Sequence, residues 1–219
     1  QIPFTIDEFL GVFEAYNSAI WPAQVVGYLV AAVALYLLIR KIRFSSSAMS
    51  LFLGLAWIWT GVFYHFVFFS TINQAASLFG ALFILQGLLI AVFGGFKSRL
   101  KFIADEKPKV TAGLILIIYA MVIYPLLAYH SGHVYPRSPT FPFTPCPLTI
   151  FTFGVLLLAK SPVKWYIWII PTLWSLIGFS AALYLSMYED FGLLISGVVG
   201  LTLILYSNRL NRTAPNISS

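Results

Sequence analysis

Apolar positions along this chain gather into long unbroken runs, not into the alternating or one-sided stripes of a soluble fold. Seven runs approach the ~20 residues needed to cross the hydrocarbon core of a bilayer: Trp21–Leu38, Ala48–Phe69, Ala75–Gly95, Val110–Tyr129, Cys146–Ala159, Val163–Ser186 and Phe191–Tyr206. The fifth is short, about 21 Å at 1.5 Å per residue. It is therefore expected to tilt little, or to continue from a loop held at membrane depth. The stretch before the first run has a different pattern. Thr5 and Glu8 match a capping box, and Ile6, Phe9, Leu10, Phe13 and Tyr16 recur at helical spacing. That pattern predicts an amphipathic helix lying on the outer interface. The expected organisation is all-α: an interfacial helix over 1–20, a seven-helix transmembrane bundle over 21–206 and a tail over 207–219.

Charge orients this pattern. Basic residues alternate between loops: Arg40, Lys41 and Arg43 after the first run, none after the second, and Lys97, Arg99, Lys101, Lys107 and Lys109 after the third. Arg137 stands alone after the fourth, Lys160 and Lys164 follow the fifth, none follows the sixth, and Arg209 and Arg212 lie in the tail. Twelve of the 13 basic residues thus fall on one side, which the positive-inside rule makes cytoplasmic. The N-terminus is then outside and the C-terminus in the cytoplasm. A missing or additional span would scramble the alternation.

Composition agrees with a multi-pass protein whose first partner is the lipid bilayer. Charged residues make up 9% of the chain, against ~25% in a soluble domain, and mean hydropathy is +0.89. The net charge of +6 is accounted for by topology, and no nucleic-acid motif accompanies it. A single cysteine, Cys146, excludes a disulfide within the chain. No basic n-region or small-residue cleavage site opens the sequence, so no signal peptide is expected. The sequons at Asn211 and Asn216 fall in the tail read as cytoplasmic, where glycosylation is not expected.

Candidate chemistry collects on the outer side: all three histidines, the cysteine, and five of the seven carboxylates. His65 shares a helical face with Trp57, Gly61, Tyr64 and Phe68, and a histidine within the bilayer is costly without a partner. Glu14 and Asn17, three apart, are positioned to cover it. The segment His130–Pro145 carries Tyr135, Pro136, Pro139, Phe141, Pro142 and Phe143, a composition suited to a stiff lid. Cys146 lies between Pro145 and Pro147, and with Pro147 as the first helical residue it would sit near a helix N-cap, where the terminal partial charge favours a thiolate. Glu189 and Asp190 join the last two runs. The candidate ligand-binding set is Glu14, Asn17, Tyr64, His65, His133, Tyr135, Cys146, Glu189 and Asp190, with His65, His133 and Cys146 as candidate metal ligands. Thiolate with imidazole suits copper, zinc or mercury ions. Pro171, Trp174, Ser175, Gly178 and Ala182 read as a packing face, and Gln86 as helix-to-helix glue.

Several segments, PFTIDEF, EAYNSAIWPAQ, YHFVFFSTIN, FGALFILQG, GHVYPRSPTFPFTPCPLTIFTFG and IPTLWSLIGFSAALYLSMYEDFGLL, resemble a bacterial family of small polytopic membrane proteins, the domain of unknown function 6064 family. They run in order over most of the chain, and the TPCPLTIFTFG block is the most specific. The resemblance implies a multi-pass protein of the bacterial inner membrane and carries no chemistry with it. A more distant similarity, through Glu14-x-x-Asn17 and a histidine late in the second run, is to the seven-helix alkaline ceramidase and receptor-like hydrolase superfamily, which binds zinc through histidines. The paired HxxxH of that superfamily's last span has no counterpart here.

Three function classes follow: an outer-side pocket that binds or transports a small ligand, with a soft metal ion as one candidate; a zinc-dependent hydrolase with Glu14 or Glu189 as base; and a non-catalytic assembly subunit docking a membrane-protein partner or a second copy.

Overall fold

The computed structural model describes residues 3–103, 106–160 and 162–213, with the side chains of 211–213 left aside. It is all-helical over these residues. Each apolar run expected from the sequence is a helix: α2 (Ala23–Ile39), α3 (Ser45–Thr71), α4 (Ala76–Phe96), α5 (Lys107–His130), α6 (Pro145–Leu157), α7 (Trp165–Leu185) and α8 (Phe191–Thr213). A 3₁₀ turn at Tyr188–Asp190 leads into α8. Five of these, α3, α4, α5, α7 and α8, are long and apolar enough to cross a membrane, and six if α2 is taken together with the helix before it. That helix, α1 (Ile6–Ala19), meets α2 at an angle of 79°. It starts at the expected capping box: Glu8 N donates to the Thr5 hydroxyl and Thr5 N to the Glu8 carboxylate. Its apolar face is buried on the bundle through Val12, Phe13 and Tyr16. Part of the proposed tail, to Thr213, continues α8; Asn216 lies outside the described residues.

Small residues set how closely the helices approach. A Cβ on Gly113 of α5 would lie 2.7 Å from the Gly154 carbonyl oxygen of α6, and one on Gly154 2.9 Å from that of Gly113. Backbone there meets backbone, a contact that only glycine allows. The short helix α6 has every residue but Cys146 buried. It is walled by protein and need not match the thickness of a bilayer.

Two prolines interrupt helices, and each break is repaired from a neighbouring helix. Pro125 in α5 removes the bond that the Met121 carbonyl would accept; the Tyr28 hydroxyl of α2 donates to that oxygen at 3.3 Å. Pro171 in α7 does the same to Ile167, and Gln86 Nε2 of α4 donates to the freed oxygen at 2.6 Å. Gln86 is thus the helix-to-helix glue its sequence position suggested.

Hydrogen bonds tie the connecting segments into two separate ends. At the basic end Phe102 N donates to Ser46 Oγ, Lys160 N to the Lys101 carbonyl, and Asn208 exchanges bonds with the backbone of Val163. At the acidic end α1, the segment 131–144 and the turn 186–190 are joined to one another, as described next.

Candidate functional site

The proline-rich segment folds onto α1 and is pinned by one buried residue. Asn17 Nδ2 donates to the carbonyls of Pro136 (2.7 Å) and Ser138 (2.8 Å), and Asn17 Oδ1 accepts from the Thr140 hydroxyl (2.7 Å). Gln24 Nε2 and the Tyr135 hydroxyl both donate to the Asn17 carbonyl. Tyr16 donates to the Phe143 carbonyl and accepts from Trp59 Nε1. Arg137 pairs with Asp7 and lies 3.6 Å from Glu14. The lid expected from its prolines is therefore a fixed cover. Glu14, Asn17 and Tyr135 serve this tether and do not reach His65, which corrects the expectation that Glu14 and Asn17 partner it.

Beneath the cover the turn between α7 and α8 carries two acids into the protein. The turn forms because α7 ends at Ser186 in the left-handed region (φ 56°, ψ 33°), with Met187 N donating back to the Ala182 carbonyl. Glu189 is fully buried and Asp190 nearly so. Glu189 Oε1 lies 2.8 Å from His133 Nδ1, while its Oε2 has no hydrogen-bond partner among the described residues. The Tyr124 hydroxyl donates to Asp190 Oδ1 at 2.5 Å, and the Tyr119 hydroxyl to the Glu189 carbonyl at 2.7 Å. Neither tyrosine was legible as a site residue. They are five apart and do not share a face of an ordinary helix; the stretch Tyr119–Ile123 is wound as a π-helix, whose bonds span five residues, and both then reach the same turn.

Cys146 faces this acid. The N-cap of α6 is Thr144 and Pro145 is its first residue, so the cysteine lies two positions further into the helix than expected. Its thiol is half-buried, and the side chains that act on it are Asp190, Trp174 and Glu189. None of these is a cation that would stabilise a thiolate.

A cavity of about 250 Å³ opens from this point. Its polar wall includes Cys146, Asp190 and Trp174; its apolar wall includes Phe4, which precedes α1, Phe9 and Phe13 of α1, and Tyr64 and Phe69 of α3. Its rim on α7 includes Ile177 and Tyr184, which are 39% and 72% exposed on the outer surface of that helix. Trp174 is 8% exposed and its Nε1, a donor only, has no hydrogen-bond partner among the described residues.

His65 sits behind that wall. It is fully buried among Tyr64, Phe69, Phe79, Phe83 and Trp174, with ring centroids 4.6 Å from Phe83 and 5.2 Å from Trp174, and neither ring nitrogen has a hydrogen-bond partner among the described residues. The proposed metal set of His65, His133 and Cys146 is therefore not assembled: one ring is enclosed by aromatics, one is bonded to Glu189 and the thiol faces Asp190. Among the described residues no group of three or more His, Cys, Asp or Glu side chains is placed to hold a metal ion.

Fold and site together define an all-helical, strongly apolar protein with a buried acid pair beside an aromatic cavity. The chain belongs to the family of unknown function DUF6064, whose model matches residues 6–215. No curated protein and no solved structure matches it.

Proposed function

We propose that this chain is a seven-crossing protein of a bacterial cytoplasmic membrane, with α1 and the cavity on the outer side, and that the cavity binds an amphiphile carrying a hydroxyl headgroup. The carrying observation is the pairing, on one wall of an otherwise apolar cavity, of a buried acceptor and a buried donor: the Asp190 carboxylate and Trp174 Nε1. A hydroxyl can donate to the first and accept from the second, whereas a bare hydrocarbon would leave the indole N–H unanswered, at a cost of about 1–3 kcal/mol. The apolar part of the ligand packs among Phe4, Phe9 and Phe69, and the exposed rim at Ile177 and Tyr184 gives access from the bilayer.

The seven-crossing reading is supported by the alternation of basic loops and by hydrogen bonding that keeps the two sets of loops apart. In this reading α2 and the short α6 cross as well, α6 by virtue of its protein surroundings. A soft metal ion or a zinc hydrolase site has less support, since the candidate ligands are engaged separately. An assembly role would offer the segment 131–144 to a partner, yet most of its polar contacts are to α1.

A long-chain alcohol bearing a photoreactive group, offered to the protein in nanodiscs, tests the proposal. Labelling is expected at α1 and α7 and is competed by an unmodified long-chain alcohol but not by its methyl ether. Asp190→Ala should reduce labelling at least tenfold, and Asp190→Asn less. Labelling spread evenly over the lipid-facing helices, or unchanged in Asp190→Ala, rejects the reading.

A further inference from the structure

A second cavity, of about 400 Å³, lies at the opposite, basic end between the start of α7 and the end of α8. Its chemistry differs from that of the first. Two cations line it, Lys164 and Arg209, and no carboxylate does among the described residues. Asn208 fixes their relative positions: its Oδ1 accepts from Val163 N and its Nδ2 donates to the Val163 carbonyl, both at 2.8 Å, so the residue before Lys164 is clamped to the residue before Arg209. Trp168 completes the wall, and its Nε1 is a buried donor with no hydrogen-bond partner among the described residues. The first turn of α7 also begins here, with no side chain capping it, so its leading N–H groups and its positive terminal field face the same region. The Lys164 ammonium, a buried indole donor and a helix start together call for an acceptor-rich anion. Trp165, which lines the cavity, and Tyr206, next in sequence to the lining Leu205, are 65% and 60% exposed, as aromatic side chains are at headgroup level.

We infer that this cavity is a phosphate-binding site, built to take the headgroup of an anionic phospholipid from the leaflet on the basic side or a soluble phosphate. Lys164 and Arg209 neutralise the charge, Arg209 with a planar fork matched to phosphate oxygens. Trp168 Nε1 donates to one of those oxygens, and the exposed aromatics hold the glycerol and first methylenes at the interface. The site is distinct in residues, end and ligand from the amphiphile cavity, so each proposal stands or falls alone.

Native mass spectrometry of the purified protein, titrated in mild detergent with phosphatidylglycerol and separately with phosphatidylcholine, tests it. Phosphatidylglycerol is expected to remain bound selectively. At about fivefold per cation, Lys164→Gln with Arg209→Gln should weaken retention by roughly thirtyfold, and Trp168→Phe, which keeps an aromatic ring and removes the donor, several-fold. Lys41→Gln with Arg43→Gln, which alters charge at the same end outside the cavity, should change little. Competition by inorganic phosphate at similar concentrations keeps the site and assigns it to a soluble anion; none assigns it to lipid. Equal retention of both lipids, an equal effect of the Lys41 and Arg43 changes, or no effect of Trp168→Phe overturns the inference.

Discussion

At the basic end Lys109 is buried in a ring of close partners. Its Nζ donates to the Ala159 carbonyl (2.8 Å) and to Ser207 Oγ (3.3 Å), it lies 3.7 Å from Glu106, and Ser207 donates to the same Glu106 oxygen at 2.7 Å. At the acidic end Asp190 is buried as deeply, but one side of it is held by Tyr124 while the other faces a cavity. Burial of a charge is common to both and says nothing about function. What separates them is the completeness of the surroundings: Lys109 joins three segments, through the carbonyl that follows α6, whereas Asp190, held by Tyr124 and faced by Cys146, also borders a cavity, next to an indole with no hydrogen-bond partner among the described residues. On the proposed reading, a structural group and a ligand-binding one are told apart by what is left over.

That contrast can be broken most sharply at Lys109. Lys109→Met should cost about 2–3 kcal/mol, because the Ala159 carbonyl and Ser207 lose a charged donor while staying buried; thermal unfolding in detergent measures it, and ligand labelling at the other end should stay as in the parent. A loss of labelling with unchanged stability would reverse the two assignments. Tyr124→Phe comes next, at about 1.5–2 kcal/mol, since a hydrogen bond to a carboxylate is removed. Here labelling should weaken as well, because the acid loses the donor that orients it. Gln86→Met should cost about 1 kcal/mol by leaving the Ile167 carbonyl unsupported, and Tyr28→Phe about half of that, its bond being longer and less buried. Neither should alter binding at either end.

The smallest effect is expected at Glu8, on the exposed rim of the acidic end. Hydrogen bonds from the Thr5 backbone and hydroxyl hold its carboxyl below the ordinary value of 4.5. A lowered value in the folded state means that the contribution is present above 4.5 and is lost as pH falls through the folded value. Hydrogen exchange in the first turn of α1 should therefore accelerate as pH falls below 4.5 and through the lower folded value, and Glu8→Gln should remove that dependence; a dependence that persists in the variant would place its origin elsewhere.

Helix positions were legible because an apolar run of sufficient length has few alternatives. The position of Glu189 and Asp190 between two runs was legible, but their burial was not, since a connecting turn between helices usually lies at the surface. Asn17 was selected for a different task from the one it performs, because its partners lie 119 to 123 residues away and no local pattern encodes them. Tyr119 and Tyr124 escaped a reading at period 3.6 because their helix departs from that period where they matter. Trp174 was assigned to packing, which is half of its role; a buried indole shows its unpartnered donor only once every neighbour is in place.

The burial of α6 also bears on how the chain is made. On the proposed seven-crossing reading, a 13-residue apolar helix is poorly matched to a ~30 Å hydrocarbon layer, so lipid alone would be an unsuitable host during synthesis. Its glycine already fits the glycine of α5, which emerges earlier, but Phe153 on another face rests against Gly200 of α8, the last helix to be translated. The middle of the sequence must therefore wait, partly housed, for its end. A ribosome stalled before α8 would leave in the membrane a helix whose proper solvent is the rest of its own protein.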